Sequence, residues 1–215
     1  MTSITSLKRA LLAAALAAFA GCAGTASTDY DALAAQMMRA SFSDRGIATV
    51  ERLNQDTSNR ECSQAEGRPL PEARARAIEQ ENLKTIKWPS DGRFLGDWRQ
   101  GEKIAQNGRG MTWTDKTPSG NGGNCYNCHQ LSKSEISFGT IGPSLYHYGV
   151  NRGVSDPASP ASKAIVEYTW GKLWNAKAYN ACSNMPRMGH MGNLDEGQIR
   201  HVMALLLDPA SPVNK

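Results

Sequence analysis

Two cysteines three residues apart, followed at once by a histidine, are the feature of this 215-residue chain that most limits its possible folds. The stretch is Cys125-Tyr126-Asn127-Cys128-His129. This order is the attachment pattern of heme c, because each thiol can add to one vinyl group of the porphyrin while the imidazole reaches the iron. Half of a zinc site is the alternative, but a zinc site usually brings a second CxxC or a second histidine pair, and the sequence has neither. The stretch therefore predicts one covalently bound heme c.

The N-terminal residues have the pattern of a secretory signal peptide, assigned here to residues 1–22. Lys8 and Arg9 precede an apolar run over residues 10–20, which is too short to span a membrane as a stable helix. Cys22 also ends a lipobox-like sequence, so it either becomes a lipid-modified first residue or lies near an ordinary cleavage point. Covalent heme attachment in bacteria takes place outside the cytoplasmic membrane, so we expect a periplasmic protein, membrane-bound only if Cys22 is lipidated.

The composition is that of a soluble globular protein, with 40% hydrophobic and 20% charged residues. The formal net charge of +4 falls by two when Lys8 and Arg9 leave with the signal peptide. Such a small charge argues against nucleic acid as a partner. The break at residues 88–92 divides the exported chain into an N-terminal extension, residues 23–90, and a heme domain, residues 91–215.

Helical patterns recur along the chain, and no strand pattern is convincing, so we expect an all-α fold. The strongest pattern is the last, in which apolar side chains recur every three or four residues and Asn193 is the expected N-cap. Residues 57–68 are polar and turn-rich, and no helix is predicted there. The helices are predicted over residues 30–42, 71–87, 97–106, 163–174 and 195–207.

A second axial ligand decides whether a heme is closed, and therefore suited to electron transfer, or open to small ligands. Met185 is the first choice, because Pro186 stiffens the backbone beside it and a methionine sulfur raises the reduction potential. Met188 is the second choice and His190 the third, and packing is the alternative role for the methionines. Three further candidates are Met191, His201 and His147. His201 is expected on the surface, and His147 is expected in a loop.

The imidazole of His129 needs an acceptor for its other ring nitrogen, which fixes the orientation of the ring. A backbone carbonyl beside a rigid proline suits this task, and Pro143 is the candidate. A simple turn with Leu145 in the core is the alternative, and both interpretations can hold together.

Cys62 and Cys182 are left over once the signal peptide and the heme have taken the other cysteines. An oxidising compartment favours their pairing, so we expect a disulfide. Two independent buried thiols are the alternative.

Taken together, CxxCH, a following Gly-Pro-x-Leu and a Met-Pro before a terminal helix resemble a class I cytochrome c. The similarity is closest to SoxX, the monoheme subunit of the SoxAX cytochrome of sulfur oxidation, and covers about residues 88–213. The stretches that carry it are FLGDW (94–98), GEKIA (101–105), GGNCYNCHQ (122–130), GTIGPSL (139–145), NMPR (184–187) and ALLLDP (204–209).

The resemblance to SoxX implies a class I cytochrome c-like domain with a helical N-terminal extension, working in a periplasmic heterodimer with a diheme SoxA subunit. It implies that Cys125 and Cys128 form the thioethers and that His129 and Met185 bind the iron. In that family the pair acts as an L-cysteine S-thiosulfotransferase, joining thiosulfate to a cysteine of the carrier SoxYZ. The SoxX chain accepts the electrons and has no substrate site of its own.

The sequence leaves two other functions open. A stand-alone periplasmic cytochrome c would shuttle electrons to an oxidase or photosynthetic centre. A heme-based ligand binder would open its methionine bond to a small gas.

Overall fold

The computed structural model describes residues 28–115 and 120–215. The expected signal peptide and Cys22 lie outside the described residues. Within these two ranges the regular secondary structure is helical, and the only β feature is an isolated bridge between Arg45 and Ala48. The prediction of an all-α chain is therefore confirmed for the part of the chain that is described.

Seven α-helices lie in the described ranges. The five helices predicted from the sequence are among them, each with its ends within a few residues of the expected positions. In chain order the helices are α1 Tyr30–Ser41, α2 Thr57–Gln64, α3 Glu72–Leu83, α4 Trp98–Gln106, α5 Tyr148–Asn151, α6 Lys163–Trp174 and α7 Glu196–Leu207.

The chain separates into two compact units, Met1–Phe42 and Ser43–Lys215. The described part of the first unit contains α1, whose N-terminus is capped by Asp29 through a hydrogen bond from the backbone N–H of Ala32. None of the residues of α1 is buried. The second unit contains the other six described helices, and residues 43–90 belong to the same compact unit as the CxxCH stretch.

The polar, turn-rich stretch over residues 57–68, where no helix was predicted, is mostly helical, because α2 occupies most of it. Asp56 caps this helix by accepting a hydrogen bond from the backbone N–H of Asn59. The helix buries only Ser58, whose hydroxyl accepts a hydrogen bond from the side chain of Asn82 in α3 at 2.9 Å. A helix with so little apolar surface has no hydrophobic periodicity to detect.

The core is built around the crossing of α4 and α7. A Cβ atom at Gly101 of α4 would lie 2.1 Å from the carbonyl oxygen of His201 and 3.0 Å from Cβ of Leu205, so the two helices approach this closely only with glycine there. The predicted apolar stripe of α7 is buried as expected. The N-cap of α7 is Asp195, which forms a capping box with Gln198, so the expectation of Asn193 was wrong.

Polar contacts hold α3 and the segment after it against α6. The side chain of Asn175 donates hydrogen bonds to Asn82 at 3.0 Å and to Thr85 at 2.8 Å. The indole N–H of Trp170 donates to the carbonyl of Lys87 at 2.9 Å. Because these donors are buried, each would destabilise the fold if its acceptor were missing.

Candidate heme-attachment site

The CxxCH stretch forms a short 3-10 turn over Cys125–Asn127. Asn124 enters it with a left-handed backbone (φ 49°), and the N–H of His129 donates to the carbonyl of Cys125 at 2.9 Å. Both cysteines are free thiols. Burial raises the pKa of the Cys125 thiol to about 12, so this thiol is protonated at neutral pH. The turn thus presents two unpaired thiols and an imidazole within five residues.

The chain from Gly139 to Leu145 runs alongside this turn and is fixed to it by backbone hydrogen bonds. The N–H of Gly139 donates to Tyr126 at 2.7 Å, and the N–H of Gly142 donates to Cys128 at 2.8 Å. The N–H of Leu145 donates to Gln130 at 2.7 Å. The backbone of residues 139–145 therefore forms one wall of the site.

The ring of His129 lies directly against Gly142. A Cβ atom at that position would come within 2.2 Å of Cε1 and 2.5 Å of Nδ1 of the imidazole. No side chain fits in this space unless the ring moves. Gly142 was part of the motif used for the resemblance, but its steric role was not predicted.

His129 has the hydrogen bond that the sequence predicted. Its Nδ1 lies 2.6 Å from the carbonyl oxygen of Pro143, and a carbonyl can only accept, so Nδ1 carries the proton. The other nitrogen, Nε2, then has its lone pair available for a metal ion. A backbone carbonyl commonly orients a metal-binding histidine in this way, so the geometry fits the predicted ligand role of His129. That His129 binds a heme iron stays a prediction.

The three methionines before α7 have different environments. Met188 is buried in the core, which is the packing role considered for it, and Met191 is exposed. Met185 is partly buried and packs against the same core cluster as Cys125. Met185 is therefore neither fully buried in the core nor fully exposed to solvent. This position is compatible with the role of iron ligand, which stays a prediction.

The remaining histidines have other partners or positions. His201 accepts a hydrogen bond at Nδ1 from the backbone N–H of Asp97, 2.9 Å away, so it orders the start of α4. The Nε2 atom of His147 lies 2.9 Å from the carbonyl oxygen of Lys215. His190 is largely exposed. Burial of part of its ring and the nearby Arg187 lower its pKa, which favours the neutral ring.

The segment that contains Met185 is bonded to the helices α2 and α3. Cys62 of α2 and Cys182 form a disulfide, which confirms that prediction. Arg187, only 8% exposed, forms an ion pair with Asp56 at 2.5 Å. The N–H of Ala181 donates to the carboxylate of Glu79 in α3 at 3.1 Å. The ion pair and the Glu79 contact were not predicted, since neither leaves a local pattern in the sequence.

Trp174, at the end of α6, is a further site residue that the sequence did not reveal. Its indole N–H is buried without a hydrogen-bond partner among the described residues, which is uncommon in a folded protein. Its ring contacts the segment after Met185, because a Cβ at Gly189 would lie 2.5 Å from it. A heme carries two propionate groups, and a carboxylate is one acceptor that could satisfy such an N–H.

The residues present fit a covalently bound heme. They supply two free thiols in one turn, an imidazole with its Nε2 available, and a buried N–H donor that needs an acceptor. No group of three or more His, Cys, Asp or Glu side chains suited to a metal ion occurs in the described ranges. Heme ligation by one histidine and one methionine needs no such group.

Comparison with known proteins finds similarity over part of the chain. No protein-family model matches the chain. The chain is similar to a protein of Aquifex aeolicus (strain VF5) described as an uncharacterized lipoprotein, with 39% identity over 132 residues. The matched region is 61% of this chain and 59% of the relative, so the chain spans about three fifths of that protein's length. Among the described residues, no helix is long and apolar enough to cross a membrane.

Proposed function

We propose that this chain is an exported monoheme c-type cytochrome that accepts electrons as the SoxX-like subunit of a thiosulfate-oxidising SoxAX complex. The observation that carries the heme assignment is the His129 imidazole, held by the carbonyl of Pro143 with Nε2 available, beside two free thiols. The assignment to SoxAX rests on the resemblance of residues 88–213 to SoxX.

A heme bound here would supply one-electron redox chemistry. Cys125 and Cys128 would hold it through thioether bonds, and His129 and Met185 would bind the iron from its two sides. The backbone at Pro143 keeps the proton of His129 on Nδ1, and Gly142 leaves room for the ring. With His129 and Met185 both bound to the iron, this chain would transfer electrons, and the sulfur chemistry would belong to its partner.

An exposed apolar surface beside the CxxCH turn supports docking of a partner there. Ile136 and Ile141 are 93% and 81% exposed, and Phe138 is exposed beside them. These side chains lie in and just before the 139–145 segment that walls the site. Apolar side chains that are this exposed are typical of interaction surfaces. A diheme SoxA-type subunit docked on this surface would bring its heme close to the CxxCH turn, with SoxYZ reached through the complex.

Export to the periplasm is part of the proposal. The signal-peptide pattern of residues 1–22 supports it, and so does the description of the similar Aquifex protein as a lipoprotein. Lipidation at Cys22 would anchor the cytochrome to a membrane surface without a spanning helix. Mass spectrometry of the mature N-terminus distinguishes a lipidated Cys22 from ordinary cleavage.

The function is tested by expressing the chain with and without a diheme SoxA-type partner and following thiosulfate-dependent reduction of its heme with SoxYZ present. We expect reduction only with the pair, and stable co-purification of the two chains. A charged substitution in the apolar surface, Ile141→Glu, should weaken co-purification, whereas the exposed Val150→Glu, on the short α5, should not. Equal reduction of the isolated chain would contradict the two-subunit function and favour a different enzyme. A monomer that docks only transiently would favour the stand-alone shuttle.

A further inference from the structure

The segment around Met185 is fixed to a distant part of the chain on both sides of the methionine. On the N-terminal side are the disulfide from Cys182 to Cys62 and the hydrogen bond from Ala181 to Glu79. On the C-terminal side is the ion pair of Arg187 with Asp56. Asp56, Cys62 and Glu79 all lie in the N-terminal segment, for which the sequence suggested no function.

These three contacts act at short range from Met185. Cys182 is three residues before it and Arg187 is two residues after it. Between them the backbone has little other support: the N–H of Met185 donates to the hydroxyl of Ser183 at 3.2 Å, within the same segment. The N-terminal segment and the Met185 segment also enclose an open cleft of about 1040 Å³, so they do not pack over a continuous surface. Together with the packing of Met185 against the core cluster, these few contacts therefore fix its position.

The ion pair holds the side chain of Arg187 in a fixed position. Arg187 is 8% exposed, and a guanidinium buried to this degree needs its carboxylate partner, since an unpaired buried charge is strongly destabilising. Asp56 is itself fixed, because its carboxylate also accepts the backbone N–H of Asn59 at 2.8 Å as the N-cap of α2. The helix α2 thus anchors both the ion pair and the disulfide.

We propose that the contacts of Asp56, Cys62 and Glu79 with residues 181–187 form a clamp that positions Met185 as the distal ligand and slows its release from the iron. This inference rests on the proposed heme function. Fixing the segment before the ligand binds removes the conformational entropy that would otherwise oppose the iron–sulfur bond. Asp56, Arg187, Cys62 and Cys182 are positioning residues in this clamp. Without it, the Met185 segment would open more often and expose the iron to small ligands.

The test uses the purified holoprotein and compares Asp56→Asn with Arg74→Gln. Asn remains a good N-cap, so Asp56→Asn removes the charge that pairs with Arg187 and preserves the cap of α2. Arg74→Gln is the matched control, because Arg74 pairs with Glu61 between α3 and α2 and does not reach the Met185 segment. The readouts are the weak far-red sulfur-to-iron band of the oxidised protein and the rate of carbon monoxide binding to the reduced protein.

We expect Asp56→Asn to weaken the far-red band and to raise the carbon monoxide rate roughly tenfold, the factor that corresponds to about 1.4 kcal/mol. Arg74→Gln should change the rate less than about twofold, an effect of under half a kcal/mol. If Asp56→Asn does not fold, the double variant Cys62→Ser, Cys182→Ser removes the other side of the clamp and should raise the rate in the same direction. Equal rates in the clamp variants and the control would overturn the clamp.

These experiments distinguish failure of the clamp from failure of the proposed function. A wild-type protein without covalent heme contradicts the heme assignment itself. A wild type with covalent heme but no far-red band, or with rapid carbon monoxide binding, overturns the clamp and leaves the heme assignment standing. A wild type with the band, and clamp variants that lose it more than Arg74→Gln does, supports both.

Discussion

The two sides of the candidate heme site are held by different parts of the chain. The hydrogen-bond partner of His129 lies 14 positions away, in the 139–145 segment that runs alongside the CxxCH turn. On the methionine side, Cys182 is bonded to a cysteine 120 positions away. The first side is a local structure that a short motif can specify, whereas the second depends on the fold of the N-terminal segment. Changes on the two sides should therefore have different effects.

The largest effect is expected from removal of the distal ligand. Met185→Ala should abolish the far-red band of the oxidised protein and open the iron to small ligands, because a methyl group cannot bind it. Met188→Ala is the matched control: Met188 is buried in the core, so its truncation should lower stability and keep the band. Loss of the band in Met188→Ala alone would show that the wrong methionine was assigned.

Removal of the long-range disulfide should have the next largest effect. The double variant Cys62→Ser, Cys182→Ser should lose roughly 4 kcal/mol of unfolding free energy, since the bond closes a long loop in the unfolded chain. Denaturant titration of holoprotein gives the value. Mass spectrometry of non-reduced, alkylated wild type checks the bond itself, and labels on both cysteines would contradict it.

A smaller effect is expected on the local side from Gly142→Ala. The added methyl group meets the His129 ring, and overpacking of this kind costs about 1–3 kcal/mol. The Soret spectrum should also change, because the imidazole must turn. Ser144→Ala, at an exposed position of the same segment, should leave both stability and spectrum nearly unchanged. Unchanged stability and an unchanged Soret spectrum in Gly142→Ala would show that the His129 ring has more room than the structure indicates.

The smallest effect is expected away from both sides, at the ion pair between Asp91 and Arg200. The Arg200 guanidinium, together with the N–H groups of Arg93, lowers the pKa of the Asp91 carboxyl. Because the pKa of Asp91 is lower in the folded than in the unfolded protein, the ionised carboxylate stabilises the fold at pH values above the usual carboxyl pKa. This stability is lost as the pH falls toward the pKa of the folded state. Between about pH 5 and pH 3, wild type should therefore lose more stability than Asp91→Asn. Identical pH profiles would show that the pair contributes nothing.

The sequence predicted the features that leave a local pattern. The stripe of α7 was evident because its apolar side chains recur at the helical period, and the Pro143 hydrogen bond followed from what a metal-binding histidine needs. The helix α2 was missed because it buries only Ser58. The ion pair of Arg187 with Asp56 joins charged residues that look solvated in sequence, so only the folded chain reveals it.

Trp174 illustrates a different limit. Trp174 is buried at the end of α6, as a large apolar side chain of a helix commonly is. That its N–H lacks a partner depends on the packing of Gly189 and the neighbouring core, which no periodicity encodes. A buried donor without an acceptor is visible only once the three-dimensional structure is known.

The most direct test of this account is whether the mature protein carries one covalently bound heme. Acid–acetone extraction of the purified protein, followed by intact mass measurement, should leave the mass of one heme on the chain. Cys125→Ser and Cys128→Ser should weaken attachment or lead to degradation, whereas Cys62→Ser should keep the heme. Extraction of all heme from the wild type, with the chain left at its unmodified mass, would contradict the central claim.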